Sequence, residues 1–286
     1  NNIFGGVSFS QEHEERGSPD DAAGLEPALY LSSGFHLGTE FVIHKLSFKM
    51  GGTLKSLDFD DVPTLTSSID NDDRDRRLSG AGIRARYLLS EGFSPFCQLI
   101  YDQRRYDQRL DYAGFRRDSD GYRMALGIKS RMTTLSSEVS VGYLLQDYND
   151  VRFKTVKAFD ISATVSWNPR PGTQFRIDVE RSVNETTLPD TSGYLETAGQ
   201  LKLIQKLGQK LTFSGEILLS QDNYQEIKRK DHNLNAGLRF KYDLTTLLYI
   251  ASDYQFYRRY SNVSPIGEVD GNDFQVCAQS QALCHG

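Results

Sequence analysis

Apolar and polar residues alternate with a period of two along most of this chain. From Tyr122 onward, Tyr122, Met124, Leu126 and Ile128 are interleaved with Arg123, Ala125, Gly127, Lys129 and then Arg131. The next run sets Val139, Val141, Tyr143 and Leu145 against Glu138, Ser140, Gly142 and Gln146. Phe159, Ile161, Ala163, Val165 and Trp167 then oppose Asp160, Ser162, Thr164 and Ser166. The same pattern returns at Phe175–Glu180 and at Leu234–Tyr242. A helix would scatter these charges around every face. A strand sends successive side chains to opposite sides, so charge gathers on one face and apolar groups on the other.

The connections between runs alternate in length. Short turns fall near Ser90–Ser94, Met132–Thr134, Asn168–Gly172, Gly208–Lys210 and Asp243–Thr246. Long polar connections lie near 58–76, 107–120, 148–154, 182–192, 221–231 and 259–271. Short turns on one rim and long loops on the other are the pattern of an outer-membrane barrel. The count of runs predicts about fourteen strands, within a range of about twelve to eighteen. Their expected centres are Val7, Tyr30, Phe48, Ile83, Leu99, Leu126, Val141, Ala163, Ile177, Leu201, Gly215, Leu238, Tyr254 and Phe274. An even count lets the first and last strands pair and close the sheet, which matters because an open edge in lipid leaves backbone groups unsatisfied. The expected fold is therefore all-β: one transmembrane antiparallel up-and-down β-barrel over residues 1–286, in a bacterial outer membrane. A soluble sandwich would also alternate, but soluble strands usually run only about 5–6 residues. The end of the chain, Val276 to Gly286, lacks the apolar alternation and terminal aromatic of a closing strand.

Composition agrees with a barrel. The hydrophobic fraction is 38%, yet there are 15 Tyr and 16 Phe among 286 residues, and the mean hydropathy is -0.50. Disordered chains are poor in aromatics. A barrel is apolar on its lipid side alone and carries aromatics at both interfaces. No run of about 18 apolar residues exists, so no transmembrane helix is expected. Asn1 opens without a basic or apolar leader, as in a mature or trimmed chain. Cys97 falls in a strand; Cys277 and Cys284 lie close enough to form a disulfide in an oxidising compartment, or to remain free thiols.

If the apolar positions face lipid, the alternate positions line the lumen. The basic candidates are Lys45, Lys49, Arg84, Arg86, Arg104, Arg123, Lys129, Arg131, Arg176, Lys202, Arg239, Lys241 and Arg259. The acidic candidates are Asp102, Glu138, Asp160, Asp178, Glu180, Glu196, Glu216 and Asp253. Bases outnumber acids on this face although the whole chain carries a net charge of -5. Rings of Arg and Lys favour anionic solutes; opposite charges on neighbouring strands can equally pair and fill the interior. The loop Asp58–Arg76 gathers Asp58, Asp60, Asp61, Asp70, Asp72, Asp73 and Asp75. Its spacing does not match an EF-hand, and a solvated loop that meets lipopolysaccharide through divalent ions is expected instead of a dedicated metal site. Aromatics at strand ends include Tyr101, Tyr106, Tyr112, Tyr143, Tyr148, Trp167, Tyr194, Tyr242, Tyr254 and Tyr257. Part of that set is expected as interface girdles, while inward ones such as Tyr148 and Tyr257 could stack on sugar rings or pack the lumen.

No chemistry-bearing motif stands out. His13, His36, His44, His232 and His285 have no metal-ligand spacing, and neither a nucleophile elbow nor a Gly-rich phosphate loop is present. Only a pairing in space, such as His36 or His232 with an acid, would give catalysis. The expectation is a chain that is not an enzyme and uses no cofactor. The negative net charge argues against nucleic acid as a partner.

Several short motifs in order carry a resemblance. Gly142-Tyr143 precedes Asp147-Tyr148-Asn149-Asp150, and Ser166-Trp167 precedes a short turn. Arg181 and Glu185-Thr186 follow, then Tyr257-Arg258-Arg259-Tyr260-Ser261-Asn262. With the strands before them, these span residues 75–265 and resemble the putative β-barrel porin 2 family of outer-membrane proteins. The sequence departs from that pattern at Gln146, where a basic residue is common, and in its tail. Members of the family resemble components of exopolysaccharide export operons. The resemblance thus implies passage, export or anchoring of an extracellular polysaccharide. The barrel itself makes outer-membrane lipid and lipopolysaccharide expected partners; the resemblance adds that polysaccharide and periplasmic export components, and it supplies no functional residues. The alternative is a plugged barrel whose loops bind a partner or a surface polymer.

Overall fold

The computed structural model describes residues 1–14, 26–245, 248–263 and 268–280. Its strands are β1 (Asn2–His13), β2 (Leu29–Ile43), β3 (Leu46–Phe59), β4 (Val62–Pro63), β5 (Ser68–Ile69), β6 (Arg76–Tyr87), β7 (Phe93–Tyr106), β8 (Ser119–Arg131), β9 (Leu135–Tyr148), β10 (Val156–Arg170), β11 (Thr173–Asn184), β12 (Tyr194–Leu207), β13 (Leu211–Tyr224), β14 (Lys230–Asp243), β15 (Leu248–Ser261) and β16 (Glu268–Ser280). Strands β1–β3 and β6–β16 form one 14-stranded sheet in which chain neighbours pair antiparallel throughout. The short β4–β5 ladder lies within the long loop between β3 and β6. All fourteen expected strand centres fall inside these strands. Among the described residues no ladder joins β1 to β16. No described helix is long and apolar enough to cross a membrane, which says nothing against crossing by strands.

Register shows why alternation is the informative signal. Directly opposed residues share a face, and Glu40, Lys49, Arg84, Gln98, Ala125, Gly142 and Asp160 form one unbroken row across seven strands. Ala125 and Asp160 in that row are only 1% exposed. One residue along, the row Ala85, Cys97, Leu126, Val141 and Ile161 points the other way, and Leu126 is 65% exposed. The molecule is therefore inside out by the standard of a soluble fold: its most exposed faces are apolar. Such a surface is stable only when hydrocarbon covers it. The stacked pairs Phe41–Phe48 and Trp167–Phe175 and the tilted pair Phe213–Phe240 lie near the short-turn rim. Tyr101 and Tyr122 pair nearer the long-loop rim. These are the two aromatic girdles of a membrane barrel. Tyr106, Tyr148 and Tyr194 are not in them, because their register turns them inward.

The turns differ from expectation in one respect. The chain reverses between β2 and β3 within His44 and Lys45, and His44 takes φ 55 without being glycine. No Gly, Pro or Asn marks this turn, so nothing in its residue types sets Lys45 apart from a strand position. Lys45 consequently sits exposed in a turn and not on the inner face. At the Ser90–Phe93 turn the usual residue is present. Gly92 has φ +81, and a Cβ there would strike the Arg131 carbonyl oxygen. Cys97 is a free, exposed thiol; a Cys277–Cys284 disulfide falls outside the residues whose side chains are described.

Candidate functional site

Every expected inward residue except Lys45 lies on the face that register turns away from the exposed apolar side chains. Acids and bases pair along it. Arg84 meets Glu138 at 2.6 Å, Lys129 meets the same carboxylate at 3.1 Å, and Arg123 approaches Asp160 at 3.5 Å. Arg176 holds Asp178 at 2.6 Å, Lys202 reaches Glu216 at 3.2 Å, and Arg239 holds Asp253 at 2.5 Å. Arg86 pairs with Glu40 at 3.1 Å and Lys241 with Asp243 at 3.0 Å, two acids the sequence reading left out. Lys49 lies over the Phe4 ring at 4.7 Å. Arg131 and Glu180 are exposed. Ion pairing across and along the strands thus neutralises most of the inward bases, and partly exposed pairs of this kind add little stability each.

The other half of the interior is different. At the long-loop rim the loops 107–118, 149–155 and 185–193 fold inward and pack. Phe115, Leu144, Tyr148, Phe153, Val156 and Val183 make a buried apolar cluster, with Phe115 stacked on Phe153. Arg117, only 2% exposed, fastens the loops together. Its Nε donates to Asp111 at 2.7 Å, and its two Nη atoms donate to the carbonyls of Thr186, Thr191 and Leu188. Glu226 accepts from the backbone N–H of Lys154 and of Ser192, which ties in the loop 225–229. Asp73 accepts from the Tyr112 N–H at 3.1 Å, which ties in the acidic loop. Beneath this layer Arg104 donates to Glu185 and to the Val183 carbonyl, and Tyr106 donates to Glu185 at 2.9 Å. The motifs Asp147-Tyr148-Asn149-Asp150 and Glu185-Thr186 therefore meet in space. Gln146 is buried there too, donating to Ser119 at 2.9 Å.

Below and beside the packed loops lies a cavity of about 710 Å³. One wall comes from β1–β3, β6 and β7 with the segment at Arg74; the other comes from β11–β15. Strands far apart in the chain face each other across it, so the sheet wraps around a lumen. Arg74, Arg76, Glu185, Asp222 and Asn233 line it and had no place among the sequence-based candidates. Arg76, Asp222 and Asn233 obey the period of two and could have been found by extending the rows; Arg74 and Glu185 lie in loops, where no period exists.

Carboxylates of Asp61, Asp70 and Asp72 converge within 4.8 Å of one another on the acidic loop and are exposed. Oxygen clusters of this kind can hold a hard divalent cation. Mutual repulsion with Asp70 raises the Asp72 carboxyl above its ordinary value. His36 faces inward opposite Thr53, and His232 lies exposed opposite Tyr260. Asp73 is buried, and burial raises its carboxyl above the ordinary range against the help of the Tyr112 N–H. A raised folded value stabilises fully below the unfolded value of about 3.9 and is lost as pH climbs through the folded one. At neutral pH this carboxylate opposes folding. Asp73→Asn keeps an acceptor for Tyr112, so it should raise the denaturant midpoint at pH 7 and leave it unchanged near pH 3.

A polar, ion-paired inner face, an apolar outer face with two aromatic girdles, and fourteen up-and-down strands define a porin-like outer-membrane β-barrel. The family model described as Putative beta-barrel porin 2 matches residues 1–282, and the chain belongs to that family. No functionally curated protein matches it. Among solved structures it is similar to the FrpB iron transporter from Neisseria meningitidis (F3-3 variant), at TM-score 0.48 and 10% identity over 93% of this chain and 59% of that one. The F5-1 variant apoprotein aligns at TM-score 0.46 and 10% identity over 91% and 57%. A triple mutant of Rhodopseudomonas blastica porin aligns at TM-score 0.31 and 10% identity over 98% and 99%. The chain spans less than two thirds of the FrpB chains it matches.

Proposed function

We propose that this barrel is a passive outer-membrane conduit for polar solutes, whose cargo is a polar polymer of the extracellular-polysaccharide type. One observation carries the reading. The inner face is polar over most of its length while the outer face is apolar, which is the arrangement of a water-filled channel. The long-loop rim faces the exterior, as in barrels of this class. Because Arg84, Arg123, Lys129 and Arg239 are neutralised by neighbouring carboxylates, the wall discriminates weakly between anions and cations. Movement through it needs no turnover chemistry. Reconstitution in planar bilayers should give stepwise conductance with a modest anion preference. The double change Arg84→Glu with Arg123→Glu places like charges beside Glu138 and Asp160 and should reverse that preference to cations by several-fold. Unchanged selectivity would remove the lumen wall from the ion path.

A second reading has its own support. The Arg117-centred loop packing narrows the long-loop mouth, so a barrel whose loops serve as a docking surface is the alternative. Electrical silence of the wild-type protein, with current appearing once the packing is broken, would favour it.

A further inference from the structure

The lumen cavity contains a cluster of buried polar groups that the ion-paired wall does not explain. Arg259 is 3% exposed, and the Asp231 carboxylate lies 4.0 Å from its Nε. Asp231 is already held by Arg229, whose Nη2 donates to it at 2.6 Å. The Nε and Nη1 of Arg259 have no hydrogen-bond partner. Asp222, 5% exposed, accepts from the Asn233 amide at 2.7 Å through one oxygen and leaves the other unpartnered. The Asn233 carbonyl oxygen and the Arg76 Nε are unpartnered as well. All four residues line the same cavity. Burying polar atoms without partners is costly, so a concentration of them in one place needs a reason.

The mixture of unmet groups selects the ligand. Arg76 and Arg259 offer donors; Asp222 and Asn233 offer acceptors. A free anion would gain from the arginines and be repelled by Asp222, and a cation would meet the reverse. A hydroxyl both donates and accepts, so a neutral ligand rich in hydroxyls satisfies both kinds at once. Tyr30 from β2 and Tyr257 from β15 also line the cavity, and aromatic rings stack on the apolar faces of sugar rings. The volume lies inside the range of about 300–1,000 Å³ usual for small-molecule sites. We propose that this cavity binds a short stretch of neutral saccharide, with Arg76, Asp222, Asn233 and Arg259 turning to its hydroxyls. The proposal rests on the inner face being solute-facing, but it does not require conduction.

The test is calorimetric titration of the full chain in an amine-oxide detergent, which carries no sugar of its own. Maltotriose and cellotriose are the neutral probes; trigalacturonate and inorganic phosphate are the charged ones. At least one neutral trisaccharide should bind more tightly than either anion. Asn233→Leu, nearly isosteric and neutral, should weaken that binding about tenfold or more, the loss of one buried hydrogen bond to ligand. Arg259→Met should weaken it similarly, and the β-sheet circular dichroism of both variants shows whether each remains folded. No heat from either neutral probe, tighter binding of trigalacturonate or phosphate, or equal binding by the wild type and a folded variant would overturn the proposal. A silent bilayer with intact saccharide binding would remove the conduit and leave the site.

Discussion

Arg117→Met should destabilise the long-loop mouth by about 3–5 kcal/mol, the usual effect of removing one partner of a buried ion pair. The side chains of Arg117 and of the paired Asp111 are each 1% exposed. Removing the guanidinium leaves Asp111 charged and dry, and frees the carbonyls of Thr186, Leu188 and Thr191 from their donor. Methionine keeps roughly the same length, so lost packing is a small part of the loss. Limited proteolysis should cut the loops 107–118 and 185–193 in the variant and spare them in the wild type, while the barrel strands stay protected. In a planar bilayer the variant should conduct more than the wild type. Adding Asp111→Asn should recover part of the stability, because the stranded charge is then gone. Wild-type protection of both loops in the variant would show that the arginine does not hold them.

Leu126→Arg should cost about 2–4 kcal/mol of folding into a bilayer, the depth-dependent effect of a cation near the hydrocarbon midplane. Leu126 sits in the middle of β8 on the apolar row that includes Cys97 and Val141. The neighbouring change Ala125→Arg probes the opposite face, where Ala125 is packed tightly near Gly142, and fails by overlap instead of desolvation. The two are separated by detergent. In micelles of short-chain detergent Leu126→Arg should recover much of its loss, since the headgroup region is close, and Ala125→Arg should not. Urea titration of folding into liposomes and into micelles checks both.

The strands were legible because lipid enforces a strict rule on alternate residues. Any polar side chain at 122, 124, 126 or 128 would face hydrocarbon, so the pattern there is clean. β2 shows the limit. Its expected centre, Tyr30, is only the second residue of the strand, since Gly34, His36 and Gly38 on the inner face and Ser33 on the outer face blur the alternation. Lys45 fell in a turn for the reason already given: a non-glycine residue, His44, accepts positive φ. The loop packing was not legible at all. Arg117 looks like any of the other arginines in a polar connection, and what buries it are carbonyls about seventy residues later in the chain. No local pattern encodes such a contact. Glu185-Thr186 was noticed only as part of a resemblance, and its partner Arg104 was noticed as an inward base; nothing in the sequence joined the two.

The pairing order of the sheet bears on how this molecule assembles. Among the described residues each strand of the 14-stranded sheet bonds to its neighbours in chain order, with the β4–β5 ladder skipped between β3 and β6, so contact order is low for most of the wall, and hairpins can zip on one at a time with little loop-closure entropy. The Arg117 fastening is the exception. It links loops that border β7–β8 and β11–β12, so it cannot form until six successive strands are in place. Loss of that arginine should therefore leave the rate of insertion unaltered and speed unfolding, the kinetic signature of an interaction made after the rate-limiting step.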